Sequence, residues 1–299
     1  MRKPEKTTAR EVGARRGAGG SGARGKTERG ESEPARSPRS RRSGLAPRKA
    51  AASRRQVRAL SPEDMLQRAM TAETPRARAM WARRGLAKPE SLDPTTQAML
   101  LRQLYLTYYE TRRFKDAVVV AEQAATLDVL PDVAHQDVAR AKQALGDIDG
   151  AAGHLRLAAR VGPANRRAFH WWTLGSLYFL AGRYSQAVSA LQRAARWGTT
   201  DKPLYQGHLG VVRCASGQRV TDLQELSDRL AEVPAGQGYG RFILGQLAYY
   251  DGRFTEARRY LEAFVRRTSS GRAATAIALS GELDAARKLL AALEEPGRS

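Results

Sequence analysis

The sequence predicts an all-α protein built from repeated helix pairs, and three observations lead to this fold class. Apolar residues recur with helical periodicity from about residue 61 onward. Alanine and leucine dominate the apolar residues, and the alternation typical of strands is nearly absent. A leucine–glycine pair, followed by a second glycine, recurs in phase three times, at Leu174-Gly175, Leu209-Gly210 and Leu244-Gly245.

Residues 1–60 precede the helical part and carry much of the positive charge. The chain of 299 residues has a net charge of +21, and this segment holds 18 of its 51 Lys and Arg but only 5 of its 30 acidic residues. Few large apolar side chains occur before Leu45. We therefore expect a disordered basic tail, because such a segment buries too little apolar surface to offset the entropy lost on ordering its backbone.

The purpose of this tail has several interpretations. Its basic runs could neutralise the phosphates of nucleic acid or of an anionic membrane. It could instead be a solvated arm, a product of coding bias in a GC-rich genome, or a segment upstream of the true start, with Met65 as one candidate. No apolar run follows the N-terminus, so we expect no secretory signal. No stretch of about 18 apolar residues would span a membrane, and the expected location is the cytoplasm.

Ordered structure is expected to begin at Ser61. The run Ser61-Pro62-Glu63-Asp64 combines an N-cap serine, a proline at the first helical position and acids near the positive end of the helix dipole. We expect residues 61–97 to form a degenerate N-terminal helix pair.

Each repeat unit is expected to contain two antiparallel helices joined by a tight turn. In the third unit, the first helix is expected over about 168–181 and the second over about 184–197. Gly182 suits the turn because glycine enters the left-handed region at little cost. Gly175 is expected where the two helices press together, since a missing side chain lets backbones approach. The expected units are 98–131, 132–167, 168–202, 203–237 and 238–266, followed by a shortened capping repeat over 267–299.

Two units depart from the common pattern. Unit one has Tyr105 at the small-residue position and Arg112 at the turn, so its helix pair is expected to splay. Unit four has Asp222 where alanine is expected. Its second helix is expected to be capped by Thr221, with Gln224 completing a capping box.

The repeat resembles the tetratricopeptide repeat, whose consensus runs W-x2-L-G-x2-Y and continues with glycine, an aromatic residue and alanines. The resemblance covers about 240 residues and implies a right-handed superhelical solenoid with a concave inner face. It also implies a non-enzymatic adaptor or scaffold for protein–protein interaction. The last unit keeps Gly281, Leu283, Ala286 and Leu290 of the pattern. Unit three matches it at Trp171, Leu174, Gly175, Tyr178, Gly182, Tyr184, Ala187, Leu191 and Ala194.

The resemblance places the first helix of each unit on the inner face and assigns candidate partner-binding residues there. Most are aromatic, and exposed aromatic groups often mark interfaces, which favours a groove that binds a peptide or helix by its apolar side chains. The arginines among them could hold a carboxylate. The candidates are Arg102, Tyr109, Arg140, Phe169, Trp172, Phe179, Tyr239, Phe242, Tyr249 and Tyr250.

The same aromatic residues have a second interpretation. A tight superhelix, or a C-terminal segment folded into its inner face, would make them part of the core. Docking of acidic chaperone tails, which some members of the family perform with a Lys, Asn and Arg clamp, is not expected. Leu106 and Gln143 stand where the clamp partners of Arg102 and Arg140 would be.

No catalytic motif is present in the sequence. It lacks a phosphate-binding loop, a dinucleotide fingerprint and a nucleophile elbow. The single cysteine, Cys214, excludes an internal disulfide, and the four histidines lack metal-ligand spacing. His170 has no carboxylate nearby in sequence, and His208 is interpreted as a helix-surface residue. We expect no enzymatic activity, metal, cofactor or small-molecule substrate. The expected partner is another protein, with nucleic-acid association through the tail as the alternative.

Overall fold

A computed structural model of the chain describes residues 60–87, 89 and 92–294. Fourteen α-helices follow one another in this part of the chain, which contains no strand, and the predicted all-α class is confirmed. The expected tail over 1–60 lies outside the described residues except for Leu60. The helices are α1 Pro62–Met70, α2 Pro75–Gly85, α3 Pro94–Glu110, α4 Phe114–Ala125, α5 Pro131–Ala144, α6 Ile148–Val161, α7 Ala164–Leu180, α8 Tyr184–Trp197, α9 Lys202–Ala215, α10 Leu223–Ala231, α11 Gly240–Tyr250, α12 Phe254–Ser269, α13 Ala273–Ala278 and α14 Ser280–Glu294.

The first helix begins where the sequence predicts. The backbone N–H of Asp64 donates to Ser61 Oγ at 3.2 Å, and the N–H of Ser61 donates to the Asp64 carboxylate at 3.1 Å. These two bonds form a capping box, with Pro62 at the first helical position. Helices α1 and α2 pack against each other, and both pack against α3. This pair therefore lies at the N-terminal end of the stacked helices.

Small residues on the first helix of a unit let the second helix approach closely. A Cβ added at Gly175 would lie 2.5 Å from Leu191 Cγ, where ordinary contacts between carbon atoms are about 3.5–4.0 Å. The predicted packing role of Gly175 is confirmed. The equivalent contacts in the next two units join Gly210 to Leu226 and Gly245 to Leu261, where the added Cβ would lie 2.8 and 2.6 Å from leucine carbons.

In unit one the large residue lies on the first helix and the small residue on the second, the reverse of the glycine–leucine contact. Tyr105 occupies the glycine position on α3, and Ala121 occupies the leucine position on α4; both are buried in one cluster. Helices α3 and α4 pack together, and the splaying expected from the sequence stays a prediction. Arg112 reaches the left-handed region that the turn needs, with φ +58°, close to the φ of +72° at Gly182. The backbone path therefore continues through this unit without glycine.

Helix starts and caps differ in places from the expectation. Helix α3 begins at Pro94, ahead of the expected residue 98, because the Asp93 carboxylate accepts the N–H groups of Thr95 and Thr96 at 2.9 and 3.0 Å. Helix α7 likewise begins at Ala164, directly after the extended Pro163.

The capping box expected in unit four is absent. Helix α10 begins at Leu223, and its N-cap Asp222 makes no side-chain cap hydrogen bond. Gln224 donates instead to Asp228 within the helix, at 2.7 Å. The buried stripe is as expected for Leu223, Leu226 and Leu230, while Val233 is half-buried.

The C-terminal segment, which we define as α13 and α14, does not only pack on the preceding pair; it also contacts helices far earlier in the chain. Residues Ile277 and Ala278 pack against the apolar cluster of α3 and α4, while Leu283 and Ala286 pack with the cluster of α11 and α12. Gly281, aligned with the turn glycines of the repeat, lies inside α14. A Cβ there would lie 3.0 Å from Leu180 Cδ1 at the end of α7. The segment therefore crosses from α12 back toward α3.

Candidate functional site

The inner face, which we define as the surface of α3, α5, α7, α9 and α11, carries the predicted site residues. The C-terminal segment lies on this surface: α13 contacts α3, and α14 contacts α7. The sequence left two interpretations open: an exposed groove, or an inner face covered by a tight superhelix or by the C-terminal segment. In the structure, the C-terminal segment lies on the inner face. None of the six residues of α13 is fully buried, although Ile277 and Ala278 pack against the apolar cluster of α3 and α4.

Five of the predicted aromatic residues meet in one cluster on this face. The rings of Phe169 and Trp172 are 5.7 Å apart, and those of Trp172 and Tyr239 are 4.8 Å apart. Tyr239 contacts Phe242 at 5.8 Å, and Phe179 joins through His208. Phe242 is 0% exposed, so it is a core residue and is not available to a partner in this conformation.

The other three predicted aromatic residues lie elsewhere. Tyr109 packs between Tyr105 and Phe114, with ring centroids 5.7 and 5.5 Å away, and is only 5% exposed. It too belongs to the core. Tyr249 and Tyr250 contact each other at 5.6 Å at the end of α11, where Tyr250 is 37% exposed.

Glu282 of α14 attaches the C-terminal segment to the aromatic cluster. Its Oε1 accepts hydrogen bonds from Ser176 Oγ at 3.1 Å and from the Tyr239 hydroxyl at 3.3 Å. Its Oε2 has no hydrogen-bond partner among the described residues, although the residue is only 5% exposed. Burial raises the pKa of Glu282 to about 6, while the hydrogen bonds act in the opposite direction. Burial therefore favours the protonated form of Glu282 in the folded protein, although the two hydrogen bonds themselves favour the carboxylate.

Polar pairs join successive first helices, and sequence reasoning missed them. Trp172 Nε1 donates to His208 Nδ1 at 3.1 Å. His208 is fully buried rather than on the surface, and burial lowers its pKa to about 3. His170 does have a carboxylate partner, since its Nε2 lies 3.0 Å from Asp132 Oδ2, and Arg166 donates to the same carboxylate. The partners are 34–38 residues apart, close to one repeat period, so a search for polar residues at this spacing could have found the pairs.

The two predicted arginines face a carboxylate of the chain itself. Arg102 Nε donates to Asp137 at 3.2 Å, and Arg140 lies 4.0 Å from the other oxygen of that side chain. Burial raises the pKa of Asp137, and the two arginines partly offset this. The carboxylate that these arginines hold in this structure is therefore Asp137.

Two cavities remain between the inner face and the C-terminal segment. One of about 540 Å³ is bounded by α3, α5, α7 and α13, and its walls include Arg112, Arg140 and Arg183. A second of about 200 Å³ lies between Arg140, the aromatic cluster and Glu282. The C-terminal segment thus covers the inner face without filling it.

No protein-family model matches the sequence, and neither does any curated protein. A solved structure of a kinesin light chain from Podosopora anserina, described as having nearly identical TPR-like repeats, is 18% identical with a TM-score of 0.43; the match covers 62% of this chain and 97% of that one. The APC/C hetero-tetramer Cut9-Hcn1 is 15% identical with a TM-score of 0.43, over 78% of this chain and 55% of that one. This chain therefore spans about half the length of the latter.

No helix in the described part of the chain is long and apolar enough to cross a bilayer. The features that define the fold are those of the chain's own helices: a period near 35 residues, turns with a left-handed residue, and a glycine–leucine contact within three of the pairs. The described part of this protein is an array of antiparallel helix pairs that resembles the tetratricopeptide repeat.

Proposed function

We propose that this protein is a non-enzymatic adaptor that binds a helical or extended segment of a partner protein on its inner face. The observation that carries the proposal is the position of the C-terminal segment, which already lies on that face next to two cavities. A surface that accommodates one helix of its own chain has the shape and the apolar groups to accept another.

The chemistry of the cavities indicates what a partner would offer. The walls of the larger cavity carry Arg112, Arg140 and Arg183 and no acidic side chain among the described residues that line it. Apolar partner side chains would contact the aromatic cluster around Trp172, and a partner carboxylate would lie near these arginines. Helix α13, with no buried residue, is the element that such a partner would displace.

The proposal includes no chemical reaction. The histidine–carboxylate pair formed by His170 and Asp132 is almost completely buried, and no nucleophilic side chain among the described residues forms a hydrogen bond with it. Its geometry is that of a structural contact between α5 and α7. As expected from the sequence, we place the adaptor in the cytoplasm. The basic tail, as an alternative site for nucleic acid, rests on composition alone.

Site-specific photo-crosslinking tests the proposal. A benzophenone amino acid replaces Gln143, on the wall of both cavities, or Arg193, an exposed control position on α8, in the full chain. Irradiation in lysate of the source cell should yield protein adducts from position 143 only. A synthetic peptide of residues 271–294 should suppress them by competing for the inner face. Adducts of equal pattern at both positions, or adducts that the peptide leaves unchanged, would contradict binding at this face.

A further inference from the structure

A basic cleft lies at the N-terminal end of the array, and no residue that lines it also lines the inner-face cavities. It has a volume of about 840 Å³ and runs between α2 and the end of α3. Four arginines line it: Arg76, Arg83 and Arg84 from α2, and Arg113 from the turn after α3. No aspartate or glutamate occurs among the described residues of its wall. The cleft therefore concentrates positive charge in a concave surface.

Aromatic rings position several of these guanidinium groups. Arg83 and Arg113 lie over the ring of Tyr108, with Cζ 5.9 and 4.7 Å from its centroid, and Arg84 lies 5.0 Å from the centroid of Trp81. Arg83 Nη2 also donates to the Tyr108 hydroxyl at 3.0 Å. A guanidinium group has five N–H donors, so these contacts leave most of them free. Such donors are arranged in the fork that binds phosphate oxygens in pairs.

Much of this charge is not neutralised within the protein. Arg113 forms an ion pair with Asp116 at 2.8 Å, and the nearby Arg78 forms one with Glu110 at 2.6 Å. Arg76, Arg83 and Arg84 have no ion pair among the described residues. Three like charges around one cleft repel each other, and an anion bound between them would remove this cost.

We propose that this cleft binds the phosphodiester backbone of a nucleic-acid strand, without reading its sequence. A strand carries one charge per about 3.4 Å, so it can place several phosphates along the arginines of α2. Residues 1–60 precede α1 in the sequence and hold another 18 Lys and Arg, a composition that favours a long and densely charged anion over a peptide as a ligand of this protein. A concave cleft also suits a strand better than the flat surface of a membrane. The proposal is independent of the inner-face function.

Fluorescence anisotropy with the full chain and a labelled oligodeoxythymidylate tests it over a range of salt concentrations. The cleft variant carries Arg76→Gln, Arg83→Gln and Arg84→Gln. The control variant carries Arg160→Gln, Arg193→Gln and Arg196→Gln, which removes the same charge from exposed positions on α6 and α8. Two control arginines also stack on tryptophans, so the chemistry removed is matched.

The cleft variant should weaken binding about tenfold or more at low salt and reduce the salt slope by about 2, as expected for three lost phosphate contacts on a single strand. The control variant should change the slope by less than half as much, and both should keep the circular dichroism spectrum of the parent. Equal losses in the two variants, or no loss in either, would assign binding to net charge or to the tail and overturn the proposal. It would also fail if phosphatidylserine vesicles or oligoglutamate, and not the oligonucleotide, bound in a cleft-dependent way.

Discussion

Replacing Gly175 with alanine tests the packing that defines the repeat. Alanine normally favours a helix interior over glycine by about 0.8–1.0 kcal/mol. At this position the new Cβ would lie 2.5 Å from Leu191 Cγ and 2.8 Å from Leu191 Cδ2, about 1 Å closer than an ordinary contact. Leu191 is fully buried, so its side chain can move only by displacing other core side chains. Overpacking of this kind costs about 1–3 kcal/mol, so we expect a net loss of up to about 2 kcal/mol.

Gly153 provides a matched control in the same fold. It lies inside α6, and a Cβ there would meet nothing within 4 Å. Gly153→Ala should therefore stabilise the protein by about 0.5–1 kcal/mol through helix propensity alone. Urea unfolding followed by circular dichroism at 222 nm would measure both variants. Their midpoints should move in opposite directions.

A double variant separates a steric clash from other effects. Leu191→Ala alone should cost about 2–5 kcal/mol, because it leaves a cavity in the core. The double variant with Gly175→Ala should lose less stability than the sum of the two single losses, because the leucine atoms that clash with the new Cβ are gone. If Gly175→Ala stabilised the protein as much as Gly153→Ala, the interpretation of Gly175 as a packing glycine would be refuted.

Three further outcomes are expected. Glu282→Gln should remove a pH dependence of stability, because burial raises the folded-state pKa of Glu282 to about 6 from its ordinary value of 4.5. The parent should lose about 2 kcal/mol of stability relative to this variant as pH rises from 4.5 through 6, and unfolding at several pH values would show it. Ala121→Leu should destabilise by about 1–3 kcal/mol against Tyr105, and adding Tyr105→Gly should recover part of that loss in thermal melts. Arg112→Gly should raise the melting temperature slightly, by relieving about 1 kcal/mol of left-handed strain at φ +58°; an unchanged or lower value would exclude such strain.

The structure also changes how the inner face is understood. Trp172 was a candidate for direct contact with a partner, and in the structure it contacts Tyr239 and donates to His208. The nearest openings are the cavities beside Arg140. Partner access through this face therefore depends on α13, whose lack of buried residues makes it the weakest part of the cover.

The sequence by itself determined the helix pairs, because their signals are local. The left-handed turn at Gly182 and the capping box at Ser61 depend on a few neighbouring residues. The contact between Gly175 and Leu191 lies within one unit, where the turn sets the register. Residues at equivalent positions of successive units therefore make equivalent contacts.

Only the tertiary structure decided which side chains meet across units and what covers the inner face. The pairing of His170 with Asp132 depends on how far one helix slides along the next, which no local pattern specifies. Gly281 matches a turn glycine in sequence yet lies within α14 against Leu180, because a glycine suits both a left-handed turn and a close helix contact. The amphipathic pattern of α14 predicts that one of its faces is buried. The hydrogen bond between Glu282 and Ser176, 106 residues apart in sequence, shows that α7 is part of the surface that covers it.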